Sequence, residues 1–496
     1  MKLDALVLIV GRGLQAVLAI ALFRIITDVL APSQVGGVYL IFSISYLFTS
    51  FLITPVSTYI NRKIFLWHDA KNILAHLAGY NYYVTAVSLL SLPVVWCAWR
   101  YFGVGVGLSG LVFAAEVCCY IYVLTWNITF IPIMNALGHR LAFVLLTLAA
   151  SALGLIFSPL LAHFGLPTAE YWMAGQITAL GLVTAVSVRV FTKKVPEPPA
   201  KLLPSRYLEK GSLTGVWMFA LPLAVSAFFM WAQGQSYRVI VEKMSGAEFL
   251  GYLGVGFSIA TSVAGILESL VQQIYLPGFY RKITGGDKEV RGAALSELAA
   301  QTLPVYIIYL LFIVGVSEFM VYFLVAEKYR AVFVYARYGA FIEFFRMTTN
   351  VLAAGAYSEM RTKALIKPYL LGGIAAVAGV YLAALSPKPA LFIPFALAAS
   401  GLVTVLGMAG AIKAMTPLRF SYGPALKAVA ASALFLPLAF FHAGGLWSSL
   451  GVLVVAGLYF SFLQYRVARK WLGGAGLPSQ APTLPESTEN LSIAEQ

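Results

Sequence analysis

The sequence predicts an all-α polytopic membrane protein: about fourteen transmembrane helices, arranged as two six-helix lobes plus two C-terminal helices. Three observations predict it. Of the 496 residues, 60% are apolar or aromatic and 11% are charged, less than half of the ~25% charged residues usual in soluble domains. Mean hydropathy is +0.84, so a water-soluble fold of this length would lack the polar surface to cover itself. Apolar runs of about 20 residues, the length that crosses ~30 Å of hydrocarbon, recur from one end of the chain to the other. Together these exclude a soluble enzyme, a nucleic-acid-binding protein and a disordered scaffold.

The runs fall at roughly 5–29, 36–60, 76–98, 108–133, 141–163, 171–191, 213–241, 248–275, 298–325, 331–357, 365–386, 389–413, 423–443 and 445–467. Only Met1 to Asp4 precede the first run, too little for a signal peptide, so it reads as a retained helix. Tyr80, Tyr82, Tyr83, Trp96, Trp99 and Tyr101 bracket the third as interfacial aromatic belts do. Pro55, Pro159, Pro222, Pro277, Pro304 and Pro394 interrupt several runs, which membrane helices tolerate when neighbours satisfy the freed backbone groups. Phe441 to Gly445 makes a tight connection between the last two. The longest polar interruption, 192–212, holds Pro196, Pro198, Pro199 and Pro204. It divides the chain into an N-terminal lobe (1–191), a cytoplasmic linker (192–212), a C-terminal lobe (213–413) and helices 13 and 14 (414–471). The tail 472–496 has no apolar period and reads as disordered.

Net charge is +14, from 34 Lys and Arg against 20 Asp and Glu. With the N-terminus inside, 24 of the basic residues fall on the cytoplasmic side, while Arg100, Lys243, Lys328, Arg330 and Lys388 fall on the other. That bias places both termini in the cytoplasm. Five arginines remain inside the spans: Arg12, Arg24, Arg238, Arg337 and Arg346. Cys97, Cys118 and Cys119 make neither a disulfide framework nor a CxxC site and read as small buried hydrophobes. The five histidines lie in different connections, so no metal site is expected. Gly105-Val-Gly107-Leu-Ser-Gly110 spells GxGxxG but opens a span with no strand before it, and no GxxxxGK[ST] occurs. No cofactor, nucleotide hydrolysis or catalytic residue is expected, and the chain reads as a non-enzyme without nucleic-acid partners.

The two halves begin alike. Arg24-Ile-Ile-Thr-Asp28 leads to Gly37 and an apolar run; Arg238-Val-Ile-Val-Glu242 leads to Gly251 and another. The offset is 214 at the arginine, the acid and the glycine. Six spans per copy give both copies the same orientation, the parallel repeat that transporters place around a substrate path. The stretch Arg24-Ile-Ile-Thr-Asp-Val-Leu-Ala-Pro-Ser-Gln-Val-Gly-Gly-Val-Tyr39 resembles the first hairpin of polysaccharide flippases. These are the Wzx-like branch of the multidrug/oligosaccharidyl-lipid/polysaccharide exporter superfamily. Arg24, Leu30, Pro32, Gly37 and Tyr39 sit where the pattern R-x-L-G-P-x-x-[FY]-G-x-Y expects them, with looser spacing before Leu30 and Ala31 in place of a glycine.

A charge at the bilayer centre costs about 2.5–3.5 kcal/mol, so each one asks for a reason. Arg24 with Asp28 and Arg238 with Glu242 are i,i+4 pairs. They read as ion pairs that fix the hairpins with Gly37 and Gly251, and the two arginines are also candidates to line the substrate path. Arg12, between Gly11 and Gly13, is a candidate to receive a diphosphate, or snorkels to cytoplasmic phosphates. On helix 10, Arg346 and Asn350 share one face and are candidate cavity residues. Glu343 is either the counter-ion of Arg346 or an ion-coupling site; Glu116 and Glu268 are further coupling candidates.

The resemblance implies a flippase for an undecaprenyl-diphosphate-linked oligosaccharide of surface polysaccharide biosynthesis, such as a lipopolysaccharide repeat unit. It would sit in the bacterial inner membrane and work by alternating access driven by an H+ or Na+ gradient. Neighbouring polymerases or glycosyltransferases are implied partners. The residues also leave open a peptidoglycan-precursor flippase or a multidrug/cation antiporter of the same superfamily, and more remotely a membrane scaffold or glycosyltransferase.

Overall fold

The computed structural model describes residues 2–195, 210–359 and 361–472, and its regular elements are all helical, with no strand among the described residues. In order they are α1 (Lys2–Val29), α2 (Pro32–Asp69), α3 (Ile73–Phe102), α4 (Gly110–Ala136), α5 (Arg140–Phe164) and α6 (Ala169–Lys194). Helix α7 runs Lys210–Gly234 and resumes as Ser236–Ser245; α8 runs Ala247–Ile274 and continues as Leu276–Ile283. There follow α9 (Lys288–Leu324), α10 (Phe333–Ser358), α11 (Ile366–Ala384) and α12 (Pro389–Met415). Helix α13 is α-helical over Tyr422–Ser432 and 3-10 over Ala433–Phe440, and α14 spans Leu446–Leu472.

These are the fourteen helices expected, in the expected places. Twelve are long and apolar enough to cross a membrane. That count is of the described residues; α10 falls outside it because Arg337, Glu343 and Arg346 lie along its length. Pro159, Pro222, Pro304 and Pro394 lie inside continuous helices, whereas Pro55 and Pro277 open new segments. Most of the 192–212 stretch and the tail beyond Leu472 lie outside the described residues. The cysteines are free as expected but not buried: Cys119 is exposed and Cys97 and Cys118 intermediate, because their faces of α3 and α4 look outward from the bundle.

Packing repeats with the chain. Helix α1 packs on α5, α3 on α4, α4 on α6 and α5 on α6; in the second half α7 packs on α11, α9 on α10, α10 on α12 and α11 on α12. The last two helices, α13 and α14, pack on α9. The halves meet chiefly where α2 crosses α8. A Cβ on Gly36 would overlap the Ala247 carbonyl oxygen, and one on Gly251 would overlap the Pro32 carbonyl oxygen. No side chain fits either position, so the two backbones touch.

That reciprocity corrects the repeat. Gly36 pairs with Ala247 and Gly251 with Pro32, an offset of 215. Gly36, not Gly37, therefore holds the place of Gly251, and Gly37 packs instead against Ala169 and Leu108 of its own half. The second hairpin is one residue longer, and the connection between α7 and α8 is Gly246 at φ +91°, a conformation glycine adopts without strain.

The i,i+4 ion pairs are not formed. Arg24 Nη1 donates to the Val325 carbonyl (2.6 Å), and Glu242 accepts from the Gly105 amide (3.2 Å). Arg238 lies over the Tyr39 ring, 5.0 Å from its centroid. Arg24 and Glu242 each reach a connection of the opposite half, where backbone groups beyond a helix end need partners, while Arg238 reaches α2 of the opposite half. The Ala326 amide donates to Thr27 (3.0 Å), Lys328 donates to the Asp28 carbonyl (2.9 Å) and Tyr329 to the Leu30 carbonyl (3.1 Å). Tyr39 and Ser258 bond across α2 and α8 at 2.8 Å. The hairpin end of the bundle is thus sealed between halves.

Away from that end the seal opens. The α8 stripe that meets α2 at Gly251, Gly254 and Ser258 continues as Thr261, Gly265, Glu268 and Gln272, of which Thr261, Gly265 and Gln272 are exposed. The matching stripe of α2 continues past Ser43 as Tyr46, Ser50 and Thr54, around the π turn Thr49–Ile53, with Tyr46 and Thr54 exposed. The far part of α2 closes against α7 through Tyr59 and Arg62 on Phe219. Among the described residues α8 has no comparable packing with α1. A gap therefore lies between α2 and α8, closed at the hairpins.

If the backbone contact holds this closure, Gly251→Val opens the hairpin end. A cysteine placed at Ser258 in a background without the native cysteines then reacts faster with a membrane-impermeant thiol reagent than in the parent. Unchanged labelling would mean that the glycine crossing does not set the seal.

Candidate functional site

The wall of the gap carries charge. Helices α8 and α10 come close because small residues face each other: a Cβ on Gly339 would sit 3.0 Å from the Ala260 Cβ and 3.1 Å from the Phe257 Cα. One to two turns further along, their polar side chains meet. Arg346 lies half-way along α10, and its Nε donates to Glu343 (2.7 Å), one turn back on the same helix. Its Nη1 pairs with Glu268 of α8 at 2.8 Å.

Both carboxylates are held from a second direction. Thr261 donates to Glu343 (2.8 Å) and Asn350 Nδ2 donates to Glu268 (2.6 Å). On α9, Tyr309 donates to the Ala260 carbonyl (2.9 Å), which fixes α8 at this level. The side chains of Glu343 and Glu268 are 9% and 15% exposed, against 41% for Arg346. Of the three charged side chains Arg346 is the most exposed, and Thr261 beside it is exposed as well.

One cation sits between two carboxylates. The formal charge of the cluster is −1, with Glu343 and Glu268 both standing as counter-ions of Arg346. The pairing explains how three charges lie within the spans: each carboxylate has a charge-assisted partner and a neutral donor. Among the described residues no hydrogen bond or ion pair engages the Nη2 of Arg346.

The other expected residues lie elsewhere. The backbone of Arg12 is part of α1, but its side chain lies outside the described residues. Glu116 is buried on α4 with one carboxylate oxygen unpartnered among the described residues, and no hydrogen bond or ion pair joins it to the cluster. Arg24, Asp28, Arg238 and Glu242 belong to the hairpin seal. Arg337 donates to Ser317 (3.0 Å) and to the Ala439 carbonyl (2.9 Å), tying α10 to α9 and α13. Thr261 is the one cluster member that sequence reasoning passed over. It stands two helical turns before Glu268 on the same face, so its spacing was the available signal. No group of His, Cys, Asp and Glu among the described residues is arranged to hold a metal ion.

Neither a family model nor a curated protein matches the chain by sequence. In three dimensions it is similar to a lipid II flippase MurJ in an inward closed conformation. That match has TM-score 0.66 at 12% identity and covers 95% of this chain and 100% of MurJ. It is also similar to an inward-facing multidrug resistance MATE family transporter of the MOP superfamily (TM-score 0.55, 12% identity, 81% of this chain and 95% of that one). A MATE in the straight conformation matches with TM-score 0.54 at 13% identity, over 83% of this chain and 95% of that one. The chain is a multi-pass membrane protein with the fold that MurJ and the MATE transporters share.

Removing the cation strands two carboxylates. Arg346→Ala should destabilise by about 3 kcal/mol, the low end for a broken buried pair because the Arg346 side chain is partly exposed. Adding Glu268→Gln to it should recover part of that loss. Thermal unfolding of the purified protein in detergent checks this; a double variant less stable than Arg346→Ala alone would show that the three groups are not coupled.

Proposed function

We propose that the chain is a flippase that carries a lipid-linked oligosaccharide across the membrane by alternating access, the diphosphate head held in the gap between α2 and α8. One observation carries the reading: a partly exposed arginine midway along α10, paired with a glutamate of α8, in a fold sealed at one end. A diphosphate taken from water needs cationic partners at depth, and the planar fork of arginine matches phosphate oxygens two at a time. In this reading the lobes 1–191 and 213–413 rock about the α2–α8 crossing. The hairpin end is the outer side, and both termini are cytoplasmic, as the Lys/Arg bias supports. The gap beside α1 then admits the headgroup from the inner leaflet while the lipid tail stays in the bilayer. Arg12 extends the cationic path, Arg24 and Arg238 join it when the hairpin seal opens, and an H+ or Na+ gradient acting at Glu343, Glu268 or Glu116 supplies the drive.

The finer substrate is an undecaprenyl-diphosphate-linked repeat unit of a surface polysaccharide in a bacterial inner membrane, which the hairpin resemblance supports. A peptidoglycan precursor is the second reading, supported by the match to MurJ along its whole length. A multidrug/cation antiporter is supported less: the MATE match leaves about a fifth of this chain uncovered, and the most exposed charged side chain of the cluster is a cation.

Depleting the protein in its host and extracting the lipid-linked intermediates separates these. Accumulated polysaccharide repeat units support the first reading and accumulated peptidoglycan precursor the second. Normal glycans with no intermediate would overturn both.

A further inference from the structure

The Arg346 cluster has more carboxylate than cation, and this bears on how it can take an anion. We propose that a diphosphate binds here together with a proton, and that Glu268 is the group that takes the proton up. The inference rests on the reading of this gap as a diphosphate site.

The guanidinium offers two edges for bidentate contact: Nε with Nη2, and Nη1 with Nη2. Glu343 occupies Nε from one turn away on the same helix, and Thr261 holds its other oxygen. The Arg346–Glu343 contact lies within α10 and survives movement of α8 against α10, whereas the Thr261 contact crosses between the two helices. Glu268 occupies Nη1 from the neighbouring helix. The edge free to meet a phosphate is therefore the one that Glu268 half covers, and a bidentate phosphate displaces Glu268 rather than Glu343.

Displaced, Glu268 keeps only the Asn350 amide, in a side chain 15% exposed and beside a newly arrived anion. Among the described residues no other cation pairs with it. Facing it are Tyr306 of α9 and Tyr369 of α11, neither of which supplies a cation, while Glu343 adds a like charge. Arg238 of α7 is engaged at the hairpin seal with Tyr39. Loss of the counter-ion and arrival of negative charge both favour the protonated carboxyl. Asn350 accommodates the change, since an amide donates to a carboxylate and accepts from a carboxylic acid.

The sign follows from linkage: the Glu268 carboxyl holds its proton more tightly in the bound state, so binding takes up a proton and strengthens as pH falls. The test is calorimetric titration of the purified full-length protein with farnesyl diphosphate in buffers of different ionisation enthalpy. It is run above pH ~7, where the phosphates' own ionisation near ~6 contributes little. The expected result is uptake approaching one proton per diphosphate and affinity rising by up to about tenfold per unit fall in pH. Glu268→Gln should bind several-fold tighter than the parent at the highest pH and take up no proton, whereas Glu343→Gln should keep the uptake. Binding by the parent without proton uptake, or uptake lost in Glu343→Gln and kept in Glu268→Gln, would overturn the proposal and leave the diphosphate reading standing. A parent that is folded by its thermal transition and binds no diphosphate at any pH would overturn both.

Discussion

The backbone contact at Gly36 and Gly251 is the constraint on which the rest of the structure depends. Two long helices cross there with no side chain between them, each glycine against a carbonyl of the other helix. Contact that close fixes the pivot but not the angle, because it is confined to a short stretch at one end. Hydrogen bonds donated by Arg24 and Tyr329 and accepted by Thr27 and Glu242 reach across the same end and hold the angle now seen. From that point α2 and α8 diverge, and their shared stripes become the walls of a gap. The polar cluster is accessible because of where the pivot lies.

The second physical theme is charge at depth. A membrane helix tolerates a buried charge when it is paired and its remaining hydrogen-bond capacity is met. The bundle does this in two ways. At the hairpins, arginine and glutamate side chains satisfy backbone groups of connections, so the charges serve as staples between halves. Between α8 and α10 they satisfy one another and leave the Arg346 side chain partly exposed. The first arrangement seals; the second offers a binding edge.

Helix number and placement were legible because each span carries its own apolar run, and no partner is needed to read it. The cluster was half legible. Glu343, Arg346 and Asn350 share a helix, so their spacing alone put them together, whereas the pairing with Glu268 depends on how closely α8 approaches α10, which Gly339 and Ala260 set. The hairpin charges were misread for the opposite reason. An i,i+4 spacing allows an ion pair, but Arg24 and Glu242 found backbone groups some 300 and 137 residues away that needed partners more. The one-residue slip between Gly37 and Gly36 was hidden because two glycines stand side by side and either satisfies the pattern.

The central claim is that the halves pivot at the α2–α8 crossing and expose the gap on alternate sides. Double electron–electron resonance between spin labels at Tyr46 on α2 and Gly265 on α8, and separately between Val29 and Lys328 across the hairpin seal, tests it most directly in reconstituted protein. The account predicts two populations that exchange with ligand or pH, the hairpin distance lengthening as the gap distance shortens. Distances that stay fixed at both positions, or lengthen together, would contradict it.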